Sequence, residues 1–313
     1  MESREIVVLL AAYNGEKYIR EMIDSVLGQD YKNFNLVLSD DGSTDGTKDI
    51  LEEYAKNYPD IVTHYQSGQR FGSAQKHFMH LLDAFHDAQY VMFCDQDDVW
   101  HADKISKTLT RMKELEADNK DVPILVHTDL RVVDANLKVT SKSFCKSMNL
   151  RGKETAFNRF LVQNVVTGCT MMVNRCLVNL AVSSNKEQEV IMHDWWIALI
   201  ASAFGVIGYI SEPTIDYRQH GKNVVGATDI HSFAFVKDSV NTKKMKKSMR
   251  NALFQAKMFE VFFGFKLDSK KTIILKQFLS TENSGVIRRN YIYIKYKLLK
   301  RGLMRKFAQL LNL

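Results

Sequence analysis

A chain of 313 residues with 45% hydrophobic and 25% charged residues can bury a full core, as one large domain or two smaller ones. Its net charge of +7 conceals an asymmetry: residues 231–313 hold 19 Lys+Arg against 4 Asp+Glu, a net +15, which leaves −8 on the first 230. No run of 18 apolar residues occurs, which argues against a membrane span, and four scattered cysteines without a C-x-x-C spacing argue against a disulfide or zinc framework.

In chain order, strand-like runs stand at 6–11, 34–39, 61–66 and 90–94, then at 123–128 and 169–173. Helix-length segments fill about 16–28, 45–57, 74–86 and 102–117. Strand alternating with helix predicts an α/β fold with a mostly parallel sheet covered on both faces. The most apolar stretch, "WWIALIASAFGVIGYI" (195–210), reads as a buried helix followed by a strand. The first strand pattern begins at Ile6 with no charged leader, apolar stretch and cleavage site, so the expectation is a cytoplasmic chain without a signal peptide. No internal repeat or low-complexity segment interrupts the pattern.

Ligands of parallel sheets bind beyond the carboxyl ends of the strands. The chemistry-bearing residues fall there: Ala12-Tyr13-Asn14-Gly15 after the first strand, "DDGSTDGT" after the second and "DQDD" after the fourth. "SDDGSTDGT" (39–47) reads first as a turn feeding a helix, with Ser43 or Asp45 as its cap. Asp41, Ser43, Asp45, Gly46, Asp49 and Glu52 also match positions of a calcium loop, but a strand pattern precedes them and Lys48 sits among them. Asp40 and Asp41, beside Ala11-Ala12, suit the imide N–H of a uracil or thymine ring packed on small side chains.

"CDQDD" (94–98) places Asp95, Asp97 and Asp98 at the end of an apolar strand. A cap accounts for one carboxylate, not three, and crowded carboxylates must raise their pKa values or hold a cation. Asp95 and Asp97 can serve a divalent ion and a ribose hydroxyl or metal-bound water, as hard oxygen ligands suit Mg²⁺ or Mn²⁺ with a diphosphate. Neither a P-loop nor a Gly-x-Gly-x-x-Gly turn is present. "MHDWW" (192–196) puts Asp194 at the start of an apolar helix, where it is either a first-turn acid or a partly desolvated general base. "YRQHGKN" (217–223) brings Arg218, His220 and Lys222 together as candidates for a diphosphate site.

The ordered set "AAYNGEKYI", "DDGSTDGT", "FCDQDDVW", "TGCTMMV", "MHDWW" and "YRQHGKNVVG", over about residues 5–228, resembles the family 2 glycosyltransferases of GT-A fold. Among these it looks like the bacterial rhamnosyltransferases of cell-wall and capsular polysaccharide synthesis. That resemblance implies an inverting, metal-dependent transfer of L-rhamnose from dTDP-rhamnose to a lipid-linked saccharide. It implies Ala11, Tyr13 and Asp41 around the nucleobase, Asp97 and His220 at Mn²⁺ or Mg²⁺, and Asp95 near the ribose or donor sugar. Asp194 would be the catalytic base. Lys76 and Arg218 would serve the nucleotide sugar, although relatives often carry Lys at the position of Gln75 and Asn at that of His77. A UDP-sugar donor is the alternative within the family. A nucleotidyltransferase releasing pyrophosphate and a non-catalytic membrane-docked binding protein are the rivals outside it.

The expected organisation is a catalytic domain over 1–230, with a nucleotide-binding half to about 120 and an acceptor half to about 230. A helical basic region over 231–313 follows. Its "KKMKK", "FEVFFGFKL", "RRNYIYIKYKLLKR" and "LMRKFAQLLNL" stretches alternate cationic with aromatic or aliphatic residues. Two readings stand: in-plane binding to an anionic membrane, giving a peripheral protein at the inner face, or a helical cap on the catalytic domain. The acidic body argues against nucleic acid as the partner.

Overall fold

The computed structural model describes residues 4–184, 190–220 and 242–311. The boundary expected near 228–232 and Lys222 lie outside them. Strands β1 (Ile6–Ala12), β2 (Phe34–Asp40), β3 (Val62–His64) and β4 (Tyr90–Asp95) run parallel in the spatial order β3-β2-β1-β4. Their connections are the helices α1 (Ile19–Leu27), α2 (Thr47–Asn57) and α3 (Ala74–Ala84). The helix α1 shows why the pattern folds this way: Ile19, Met22, Ile23 and Val26 recur at helical spacing and all four are buried.

The rest of the sheet is mixed. A two-residue strand β5 (Val99–Trp100) and α4 (Lys104–Asp118) lead into β6 (Ile124–Val133), which carries the short antiparallel β7 (Val139–Ser141). Two one-turn helices, α5 (Phe144–Ser147) and α6 (Phe157–Phe160), precede β8 (Met171–Asn174), which lies antiparallel between β4 and β6. After α7 (Arg175–Ser183) and α8 (His193–Phe204), β9 (Val206–Arg218) returns parallel to β6 and antiparallel to β5. The mostly parallel α/β sheet is therefore as expected, with β8 its reversed internal member. The apolar 195–210 stretch does divide into a helix and a strand, broken at Gly205, where a Cβ would meet the Pro123 carbonyl oxygen at 1.9 Å.

Two cores flank the sheet. One holds α1, α2 and α4 against the inner residues of β1, β2 and β4. The other packs α3, α7 and α8 on the opposite face and continues without a break into α9 (Thr242–Phe263), α10 (Ser269–Ser280), α11 (Val286–Lys295) and α12 (Leu303–Leu311). Trp196 meets the Phe259 ring edge-on at 5.8 Å, and Phe204 stacks on it at 6.1 Å. Phe259 and Phe263 are fully buried, so the basic helices contribute apolar faces to the same core as the apolar helix α8.

Candidate active site

The register of β1 sets the site. Ala11 lies opposite Ser39 on one side and Asp95 on the other, and Ala12 lies opposite Asp40. The loops leaving β1, β2 and β4 therefore emerge together where the chain order reverses, the place where parallel sheets bind ligands. Beyond them opens a pocket of about 500 Å³. Ala11, Tyr13, Asp41, Asp95, Asp97 and His220 line it together with Thr167, Gly168 and Asp194.

The first loop is held by the second. Asn14 adopts a left-handed φ of 50°, which its short polar side chain tolerates. It accepts the Thr44 N–H at 2.8 Å and donates its own N–H to Ser43 Oγ at 2.8 Å, while the Gly15 N–H reaches Thr47 Oγ1 at 2.8 Å. Asp40 stays in its own turn, accepting the N–H groups of Gly42 and Ser43 at 3.0 and 2.9 Å. Asp45 accepts the Thr47 N–H at 3.1 Å just ahead of α2. The "DDGSTDGT" segment is thus a turn and helix start, as its spacing suggested, but the cap position falls to Gly46, without a side-chain cap, and not to Ser43 or Asp45.

Asp41 reaches further. Its carboxylate accepts the backbone N–H groups of Phe71 and Gly72 at 2.5 and 2.9 Å, fixing the loop ahead of α3. Gly72 has φ +71°, a conformation that disfavours a side chain. Tyr13 is 43% exposed, with Arg70 donating to its hydroxyl at 2.8 Å and lying 5.0 Å from its ring centroid.

The three acids of "DQDD" divide into two kinds. Asp95 and Asp97 line the pocket. Burial, then the charges of Asp97 and Asp194, push Asp95 up to about 7. Asp97 Oδ2 pairs with His220 Nε2 at 2.6 Å, so one carboxylate, its neighbour and an imidazole converge. Gln96, between the acids, brackets Tyr13: it accepts the Tyr13 N–H at 2.8 Å and donates to the Tyr13 carbonyl at 2.9 Å. That residue ties the loop after β1 to the turn after β4, and nothing in its type or spacing marked it.

Asp98 turns inward. It is fully buried and accepts the Arg218 N–H at 3.1 Å, and burial with the neighbouring charges of Asp97 and Asp95 pushes its carboxyl well above the usual range. Asp95, Asp98 and Cys169 bring potential ligand atoms within 4.8 Å of one another. Cys169 is itself pushed well up by burial and by those carboxylates, so it stays a thiol, a poor partner for a hard cation. Two carboxylates and an imidazole facing the pocket are the donor set that fits Mg²⁺ or Mn²⁺, and the repulsion between the two carboxylates is what a cation relieves.

The structure does not bring Arg218 or Lys76 into the pocket wall. Arg218 is buried under the turn instead. Its guanidinium donates to the carbonyls of Asp97 and Ala135 at 2.8 Å each, bonds Glu21, and lies 4.5 Å from the Tyr18 ring centroid. Lys76 is exposed on the first turn of α3, whose cap is Ser73. The neighbouring His77 takes the wall position: it is buried, bonded to Ser39 Oγ at 2.8 Å and stacked on Phe71 at 4.9 Å. Burial holds it down at about 4, hence neutral.

Asp194 stands in the first turn of α8, with Oδ1 accepting the Trp195 N–H at 2.5 Å. Burial raises it to about 6, against the pull of the Trp195 and Gly168 N–H groups. Gly168 is obligatory here: a Cβ would lie 2.6 Å from His193 Nε2. His193 packs between Phe78 and Phe93 at 4.5 and 5.3 Å, another wall residue that sequence spacing left unmarked.

The family model described as glycosyl transferase family 2 matches residues 7–179. The dTDP-rhamnosyl transferase RfbG of Shigella flexneri is 30% identical over 230 residues, covering 70% of this chain and 74% of that one. Glycosyltransferase GlyG of Streptococcus pneumoniae serotype 4 is 25% identical over 292 residues, covering 90% and 92%. In fold, the chain is similar to S. aureus TarS 1–349 in complex with UDP-GlcNAc, with TM-score 0.58 and 16% identity over 98% of this chain and 90% of that one. With its sheet, its acidic strand end and these relatives in agreement, the chain belongs to glycosyl transferase family 2 and has the GT-A fold.

Proposed function

We propose that this glycosyltransferase moves L-rhamnose from dTDP-rhamnose to a lipid-linked saccharide with inversion at the anomeric carbon, in bacterial surface polysaccharide synthesis. The observation that carries the mechanism is the division of one pocket between a carboxylate–imidazole cluster, Asp95, Asp97 and His220, and a separate desolvated carboxylate, Asp194. The donor specificity rests on the RfbG relative. Residues 1–230 would carry the chemistry, and 231–313 would serve its placement at a membrane surface.

In this reading Ala11 and Tyr13 pack the thymine, and Asp41 offers its remaining lone pairs to the imide N–H while holding the 71–72 loop closed. Asp97 and His220 would hold Mn²⁺ or Mg²⁺, with Asp95 beside them toward the ribose or sugar. The ion, when bound, neutralises the charge of the departing diphosphate. Asp194 accepts the proton of the acceptor hydroxyl as that oxygen attacks the anomeric carbon from the face opposite the leaving group. Its raised affinity for the proton suits that task, because a base poised near the working pH transfers protons most effectively. A single displacement inverts the configuration.

Calorimetric titration of dTDP-rhamnose and of UDP-sugars, with Mn²⁺ or Mg²⁺ and again with EDTA, tests the reading. Metal-dependent binding of dTDP-rhamnose alone is expected. Preference for a UDP-sugar would discard rhamnose and keep the mechanism. No binding of either nucleotide sugar would overturn the assignment of the acids.

A further inference from the structure

The last two helices expose what a packed helical cap would hide. On α11, Ile287 is 89%, Tyr291 58% and Ile294 60% exposed, at i, i+4 and i+7 on one side. On α12, Leu303 is 72%, Phe307 59% and Leu311 79% exposed, again at the spacing of one helical face. The orientation of α12 is inverted relative to an ordinary surface helix. Its polar Gln309 is fully buried beside Ala308, accepting the Lys300 N–H at 2.8 Å and donating to the Leu298 carbonyl at 2.9 Å, while Leu303, Phe307 and Leu311 face water. Asn290 donates to the Leu310 carbonyl at 3.0 Å and ties the two helices together.

Charge decides what this face is for. Residues 286–311 contain eight Lys or Arg and no Asp or Glu. Arg301 and Lys306, with Arg151 and Arg159, rim a cleft of about 60 Å³ in which Glu154 is the one acid. Two copies meeting through this face would bring like charges together, which disfavours a symmetric dimer. An apolar stripe flanked by cations matches the boundary between acyl chains and anionic headgroups. Among the described residues no helix is long and apolar enough to cross a membrane, so contact would be in plane.

We infer that the α11–α12 face is the surface that docks this enzyme on an anionic lipid bilayer, with Ile287, Tyr291, Leu303 and Phe307 inserting and the flanking cations meeting headgroups. The inference rests on the membrane-presented acceptor proposed above and assigns its surface. The placement also serves the site. The Asn158 amide donates to the Tyr296 carbonyl at 2.9 Å, Arg159 to the Leu299 carbonyl at 2.8 Å, and Lys300 to the Val162 carbonyl at 2.8 Å. The segment so clamped leads on to Thr167 and Gly168 of the pocket wall, so the face and the pocket are joined through one stretch of chain.

The test uses the full chain and an Ile287→Glu/Phe307→Glu variant, whose sites are exposed and outside the pocket. Both are floated with phosphatidylcholine vesicles, with and without phosphatidylglycerol, over a salt series. Donor binding in solution is titrated on the same preparations. Salt-sensitive binding of the wild type to phosphatidylglycerol vesicles is expected, weakened at least about tenfold in the variant, with donor affinity and Tm unchanged. Equal vesicle binding by both proteins would overturn the face. So would a wild type that ignores vesicles and self-associates through these residues. Loss of donor binding in the wild type would instead overturn the glycosyl-transfer reading and leave the lipid result to stand alone.

Discussion

Asp194 carries opposite consequences for activity and stability. Its folded affinity for a proton, raised by burial to about 6, lies above the ordinary carboxylate value of 3.8. An acid so shifted supports folding fully only below its unfolded pKa, and that support is lost as pH rises through about 6. At neutral pH the charged form therefore costs stability, on the order of 3 kcal/mol. Asn keeps an oxygen for the Trp195 N–H and removes the charge. The expected outcome for Asp194→Asn is a fall in kcat of about 10²–10⁴-fold. Its Tm should exceed the wild type at pH 7.5, with the difference shrinking toward pH 4. Wild-type kcat/KM should decline as pH falls below about 6, following protonation of the base. Calorimetric melts and a pH–rate series check both signs. A variant with full activity would dismiss Asp194 as the base.

Chain elements explain which part of the site was legible in the sequence. Residues at the ends of β1, β2 and β4 could be placed from the pattern alone, because parallel register brings strand ends together whatever the side chains are. Ala11, Tyr13, Asp41, Asp95 and Asp97 were found this way. Gln96, His77 and His193 were not, because their roles depend on partners 25 or more residues away along the chain, in contacts that no local period encodes: Gln96 on Tyr13, His77 on Ser39, His193 on Phe93 and Gly168. Arg218 was legible as a cation near the site and illegible in direction, since β5 is only two residues long and the length of β9 emerges only from its pairing with β6. The guanidinium serves as the clasp between the end of β9, the Asp97 carbonyl and the 134–138 turn. Arg218→Met leaves two carbonyls without their donor, and the expected loss is about 2–4 kcal/mol. A denaturant titration should show this as a lower midpoint with an unchanged slope. A variant with native stability and selectively lost donor affinity would return Arg218 to the nucleotide-sugar role expected from sequence.

The whole molecule is built so that the basic helices cannot be peeled away from the chemistry. Composition separated them sharply, because charge is counted along the chain, whereas their apolar faces count in the fold. Phe259 is fully buried, meets Trp196, Phe157, Phe204 and Phe263 at centroid distances between 5.1 and 6.1 Å, and so joins α6, α8 and α9 in one aromatic cluster. The first turn of α8 carries Asp194, so this cluster also anchors the helix that positions the proposed base. Truncating the side chain in Phe259→Ala removes buried area and leaves a cavity, at a cost of about 3–5 kcal/mol. A loss of that size is a large share of the margin by which a domain folds. The expected outcome is a strongly lowered Tm, accompanied by weakened acceptor turnover at temperatures where the variant is still folded. Donor affinity, proposed to rest on the loops after β1, β2 and β4, should change least. Deletion of everything after residue 241 removes Phe259, Phe263, Phe278 and Tyr293 from the same core, so a shortened chain should aggregate instead of folding. A soluble, fully active truncation would show that the cluster is dispensable, and that the basic helices are a separate module after all.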